Sequence, residues 1–130
     1  MYRVLLVEDE PLILEGLCMA TPWARYGCTV AGKAYNAEEA ERLIVELRPD
    51  IVITDINMPG GSGLELIERM KGRCGCEFII LSGYDQFEYA KKAVFLGVKG
   101  YILKPLDEEE LRTVLESAIR SLEQKRAGAQ

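Results

Sequence analysis

The segment Val4-Leu5-Leu6-Val7-Glu8-Asp9 is a run of branched apolar residues that stops abruptly on two carboxylates, and the pattern returns three times downstream. Ile51-Val52-Ile53-Thr54 leads into Asp55, Phe78-Ile79-Ile80-Leu81 into Ser82, and Tyr101-Ile102-Leu103 into Lys104 and Pro105. Apolar runs this short and continuous read as strands buried on both faces, as in a parallel sheet covered by helices. A fifth segment, Thr29-Val30-Ala31-Gly32-Lys33, alternates and contains a glycine, which suits a sheet edge.

The intervening stretches have helical periodicity and marked starts. Asn36 and Glu39, Ser62 and Glu65, Asp85 and Glu88, and Asp107 and Glu110 each pair a capping residue with a glutamate three positions on. That spacing satisfies amide groups left unbonded at a helix N-terminus. Pro11 sits just inside the start of the first helix, where its missing amide hydrogen is harmless. Ala40, Leu43, Ile44 and Leu47 form an apolar face before Pro49 forbids continuation, and Leu111, Val114, Leu115, Ala118, Ile119 and Leu122 form one stripe in the last helix. The order is βα repeated five times. Right-handed crossovers then put helices on both faces, giving an α/β, three-layer, doubly wound five-stranded parallel sheet. One domain is expected over residues 1–124, with a tail at 125–130.

Composition supports that reading and narrows the chemistry. The 130 residues are 48% hydrophobic and 28% charged, with no low-complexity run, as in a globular domain rather than a disordered chain. No apolar run approaches the ~20 residues that span a bilayer, so neither a membrane segment nor a signal peptide is expected. Sixteen basic residues against 21 acidic ones give a net charge of −5, which offers nucleic acid no general attraction. The chain has no histidine. That excludes Ser-His-Asp and Cys-His catalysis, histidine metal ligation and a role as phosphohistidine carrier. The four cysteines, Cys18, Cys28, Cys74 and Cys76, lack the partners of a zinc site and are expected as free thiols. A redox role for the close pair Cys74 and Cys76 stays open.

In a doubly wound sheet, ligands bind beyond the carboxyl ends of the strands. Glu8, Asp9, Asp55, Ser82 and Lys104 all follow strands at that edge. Two carboxylates about 4 Å apart repel by roughly 4 kcal/mol at an effective dielectric of 20, so three favour a divalent cation. All-oxygen ligation suits Mg²⁺, which shares its shell with phosphate. Metal and ammonium together could hold a phosphoryl group for in-line attack by a carboxylate, with Ser82 donating a hydrogen bond to it.

The set Glu8-Asp9, Asp55 with Met58-Pro59 and Gly63, Ser82-Gly83, and Tyr101 before Lys104-Pro105 resembles the receiver domain of bacterial two-component response regulators. The resemblance covers residues 2–124 and implies a flavodoxin-like fold with strand order 2-1-3-4-5. It implies that Asp55 is the phosphoacceptor for a sensor histidine kinase or a small donor such as acetyl phosphate. Asp9, Asp55 and the backbone carbonyl of Asn57 would ligate Mg²⁺, with Glu8 acting through a bound water. Lys104 would pair with Asp55 and then with the phosphoryl oxygens, and Pro105 would follow a cis peptide bond. Ser82 and Tyr101 would form a switch that reports through the fourth helix, fifth strand and fifth helix, with dimerisation on phosphorylation. Asn57 and Tyr84 hold the positions that tune loss of the phosphoryl group. Such a domain is a cytoplasmic signalling phosphoacceptor that assists its own phosphorylation and dephosphorylation, not an enzyme. Ser82 to Ala90, Trp23 and Tyr101 to Pro105 are most similar to receivers attached to AraC-type output domains, so any DNA contact would lie outside this chain.

Each residue alone has a plainer reading. Asp55 or Asp9 could cap a helix, Ser82 could form a turn, Lys104 could be solvated, and Tyr101 could be a core aromatic. Two rival functions stand beside the receiver reading. An aspartate-nucleophile phosphohydrolase needs a second acid two residues after the nucleophile, where this chain has Asn57. A phosphorylation-independent interaction module would be expected to lack part of the cluster.

Overall fold

The computed structural model describes residues 1–83 and 85–128. Five parallel strands, β1 (Tyr2–Val7), β2 (Cys28–Ala34), β3 (Ile51–Thr54), β4 (Glu77–Ser82) and β5 (Gly100–Leu103), form one sheet in the order β2-β1-β3-β4-β5. The chain alternates them with α1 (Pro11–Ala20), α2 (Ala37–Leu47), α3 (Gly63–Met70), α4 (Phe87–Leu96) and α5 (Glu108–Gly128).

Side-chain alternation along the central strands builds the two cores. Val4, Leu6, Ile51, Ile53, Ile79, Leu81 and Ile102 pack under α1 and α5, against Leu14, Leu111, Leu115, Ala118 and Leu122. Leu5, Val7, Val52, Phe78 and Ile80 point the other way, against Ile44, Leu66, Ile67, Met70 and Leu96 of α2, α3 and α4. Burying each large aliphatic group contributes about 1.5–3 kcal/mol, so these two layers hold the strand ends in fixed register.

Local signals explain most element boundaries. Ser62 and Glu65 form the expected reciprocal cap on α3. Asn36 accepts from the Glu39 amide at 2.7 Å, while the Glu39 carboxylate reaches back to the Tyr35 amide. Asp107 caps α5 by accepting from the Glu109 amide at 3.1 Å. Asp85 does not cap its helix: α4 starts at Phe87 with Gln86 at the cap position and no side-chain cap bond. Within the segment 125–130 expected as a tail, α5 continues without a break as far as Gly128. Its apolar stripe is anchored as far as Leu122, and Lys125 and Arg126 then pair with Glu77 and Asp50. Residues 129–130 of that segment lie outside the described residues.

Two features were not read from the sequence. A short 3₁₀ turn, Trp23–Tyr26, joins α1 to β2; Trp23 is buried and its indole N–H donates to the Cys18 carbonyl at 3.0 Å. Cys74 and Cys76 are joined by a disulfide, which corrects the free-thiol expectation for that pair; Cys18 and Cys28 are free. Among the described residues no helix is long and apolar enough to cross a membrane.

Candidate functional site

Strands β1 and β3 are paired in parallel register, Val7 beside Thr54, so the residues that follow them leave the sheet side by side. The result is a cluster of Glu8, Asp9 and Asp55 whose carboxylate oxygens lie within 4.8 Å of one another. Glu8 and Asp55 are only 5% and 8% exposed, so little water screens them. Lys104 arrives from the end of β5 and bridges both, with Nζ at 2.6 Å from Glu8 Oε1 and 3.3 Å from Asp55 Oδ2. The cis peptide expected between Lys104 and Pro105 is present. The sequence reading paired Lys104 with Asp55; the structure adds Glu8 as its shorter contact.

Asp55 is held from its own backbone side. Its Oδ1 accepts from the Ile56 amide at 2.7 Å, which leaves Oδ2 toward Lys104 and the cleft. The loop after Asp55 closes through a hydrogen bond from the Gly63 amide to the Ile56 carbonyl at 2.7 Å. At Gly63 a Cβ would stand 1.9 Å from the Asp55 carbonyl oxygen, a separation no side chain survives, so glycine is required there by close backbone approach.

The electrostatics follow from this packing. Burial pushes the Asp55 carboxyl above its ordinary value, against the pull of the Lys104 charge and the Ile56 amide, and the neighbouring Glu8 charge pushes the same way as burial. Burial also works to lower the Lys104 ammonium, but the hydrogen bond to Glu8 and the charge of Asp55 outweigh it, and its pKa is raised. An open cleft of about 440 Å³ is lined by Glu8, Asp9, Asp55, Asn57, Met58, Pro59 and Lys104, among others. Its donor set is oxygen only, with several acids and few protein groups, which suits a small hard cation such as Mg²⁺.

Ser82 does not line this cleft. It is fully buried at the end of β4 and is hydrogen-bonded to the Tyr101 phenol. Burial raises the Tyr101 hydroxyl pKa, while the Ser82 hydrogen bond lowers it. The Tyr101 ring is half-buried against the core under α2, α3 and α4. Ser82 and Tyr101 are therefore paired with each other. Asn57 is exposed at the cleft wall, and Tyr84 lies outside the described residues.

Comparison with known proteins agrees with this geometry. Residues 4–116 match the family described as the response regulator receiver domain. The chain is 44% identical over 126 residues to the uncharacterized transcriptional regulatory protein YesN of Bacillus subtilis, covering 96% of this chain and 34% of that protein. It is 38% identical over 122 residues to the transcriptional regulatory protein HptR of Staphylococcus aureus, covering 94% of this chain and 48% of that protein. The chain thus spans a third to a half of the curated relatives it matches. Among solved structures, the REC domain of AraT, a response regulator from Geobacillus stearothermophilus, superposes with a TM-score of 0.86 at 35% identity, over 96% of this chain and 98% of that one. A LuxR-family DNA-binding response regulator from Staphylococcus aureus gives 0.80 at 28% identity, over 91% and 98%.

Proposed function

Because the chain belongs to the response regulator receiver family, we propose that Asp55 is its phosphoacceptor, taking a phosphoryl group from the phosphohistidine of a sensor kinase or from a small donor such as acetyl phosphate. The observation that supports this most directly is the convergence of Glu8, Asp9, Asp55 and Lys104 on one cleft. Asp55 Oδ2 forms the new bond to phosphorus as the donor's phosphorus–nitrogen bond breaks, and the electron pair leaves with the imidazole. Lys104 releases its contact with Asp55 and pairs with the phosphoryl oxygens. Glu8, Asp9, Asp55 and the Asn57 carbonyl would hold Mg²⁺, which when bound supplies positive charge against those oxygens.

Ser82 then turns from Tyr101 toward the phosphoryl group, and the ring shifts inward. The change is read at the surface of α4, β5 and α5, where Phe87, Val94, Phe95 and Leu103 are exposed apolar residues. A second copy of the chain docks there in the phosphorylated state. The domain works in the cytoplasm, and its readout is transcriptional, through an AraC-type output region outside this sequence. The transcriptional reading is supported by the relatives named above.

Asn57 at the cleft wall cannot protonate a leaving group, which counts against turnover of phosphate esters. The domain instead assists a single transfer and its reversal by water. Incubation with acetyl phosphate and Mg²⁺ should raise the intact mass by one phosphoryl group, and Asp55→Asn should abolish the gain. An unmodified wild-type mass in folded protein overturns the phosphoacceptor role. Unchanged sedimentation of the phosphorylated form overturns the dimer.

A further inference from the structure

We propose that Cys74-Gly75-Cys76 is a reversible thiol–disulfide site that takes a small anionic thiol, with the mixed disulfide formed at Cys74. The pair stands in the connection between α3 and β4, before the first residue of β4. That is the edge of the sheet opposite Asp55, so the phosphoryl chemistry makes no use of it.

The two sulfurs are bonded and differ sharply in access. Cys76 is buried in the core beside Met70 and Phe78, whereas Cys74 is partly exposed. Gly75 has φ +66°, the left-handed conformation that lets so short a ring close. Cys74 opens onto a cavity of about 380 Å³ whose other walls are Ile44, Val45, Met70, Arg48 and Arg73. Arg48 and Arg73 thus contribute two positively charged residues to the cavity onto which Cys74 opens. Guanidinium groups bind carboxylates through paired charge-assisted hydrogen bonds, and Ile44, Val45 and Met70 offer an apolar wall to the rest of a ligand. The chemical class that fits is a low-molecular-weight thiol bearing carboxylates.

The exchange balances without another reagent. The ligand thiolate attacks Cys74 Sγ, a new sulfur–sulfur bond forms there, and the Cys74–Cys76 bond breaks. The electron pair goes to Cys76 Sγ, which takes a proton from solvent. Cys76 then either re-closes the ring and expels the ligand, or stays reduced while a second ligand thiolate attacks the bound sulfur. That second attack leaves a dithiol and an oxidised ligand pair.

The test treats the chain with glutathione and with neutral 2-mercaptoethanol at equal thiolate concentration, quenches with iodoacetamide and reads intact and fragment masses. Glutathione should react about fivefold faster than the neutral thiol, through an adduct on Cys74. Arg48→Asn with Arg73→Gln should erase that preference by slowing glutathione more than 2-mercaptoethanol, with urea unfolding confirming that the variant is folded. Asparagine is chosen at Arg48 because φ there is +49°. Alkylation of all four cysteines in denatured, unreduced protein overturns the proposal. So do equal rates for the two thiols, or an adduct on Cys18 or Cys28.

Discussion

Neutralising Asp55 should stabilise the metal-free protein, although the substitution removes an ion pair. In Asp55→Asn the amide keeps an oxygen for the Ile56 amide, so that hydrogen bond is retained. Facing Glu8 and Asp9 across as much as 4.8 Å, the Asp55 charge is opposed by roughly 3.5 kcal/mol from each at an effective dielectric of 20. Lys104 at 3.3 Å returns roughly 5 kcal/mol on the same scale. The balance is about 2 kcal/mol against the charged form, trimmed by the partial exposure of Asp9, so a gain of about 1–2 kcal/mol is expected. In a domain of this size that raises Tm by roughly 4 °C. The pH dependence carries a definite sign. The folded Asp55 carboxyl is raised above 3.8, mainly by burial, so its contribution to stability is full below the unfolded value and is lost as pH rises through the folded one. The advantage of the asparagine variant should therefore be small near pH 4 and widen toward neutrality. Mg²⁺ at ten times its dissociation constant should stabilise the wild type by about 1.4 kcal/mol and the variant by less, closing the gap. Urea unfolding in EDTA and in Mg²⁺, across that pH range, measures all three effects. A variant less stable than wild type in EDTA, or equal Mg²⁺ stabilisation of both, refutes the reasoning.

Gly63→Ala should cost about 3 kcal/mol, the upper end for overpacking, because the added carbon meets backbone rather than a yielding side chain. Its yield of acyl phosphate should fall with the displaced Asp55 loop; wild-type stability in urea would refute the contact. At the other edge of the sheet, Glu77 is a buried carboxylate paired with Lys125 and hydrogen-bonded by Ser121. Lys125→Ala should destabilise by about 1–2 kcal/mol, and Glu77→Gln by less, since the first leaves a buried charge under-paired and the second frees an exposed lysine. Equal urea midpoints for the two variants would contradict this.

The fold was legible because its central strands are buried on both faces. A strand such as Ile51–Thr54 is buried at every position, and its continuous apolar run Ile51-Val52-Ile53 separates it from the amphipathic helices around it. The site was legible for a related reason. The polar residues that end the strands stand out against such runs, and parallel register brings them to one edge. Ser82 shows the limit of that logic: its position at a strand end does not say which way its hydroxyl turns, and in this structure it is bonded to Tyr101. The Glu8 contact of Lys104 was missed likewise, since order along the chain says nothing about which of two neighbouring acids the ammonium approaches more closely.

What escaped the sequence depends on contacts between segments that share no periodicity. Glu77 extends β4 by one residue beyond the apolar run, and a carboxylate there is tolerated only because Ser121, Lys125 and Lys99 reach it from α5 and β5's approach. Ser121 and Lys125 follow Leu122's apolar stripe in space, so the partner existed only once α5 was docked. Asp85 misled for the opposite reason. Its spacing to Glu88 imitates a cap, but the helix begins at Phe87, and Glu88 then falls in its first turn, where its charge favours the helix dipole without any cap bond. The disulfide belongs to the same class of feature. Cys74 and Cys76 are two residues apart, which by itself marks neither a bond nor a free pair; the decision comes from Gly75 turning left-handed and from α3 and β4 fixing the two ends of the turn. Local spacing therefore locates groups that must meet at a strand end, whereas the state of a pair within one loop is set by the elements that anchor the loop.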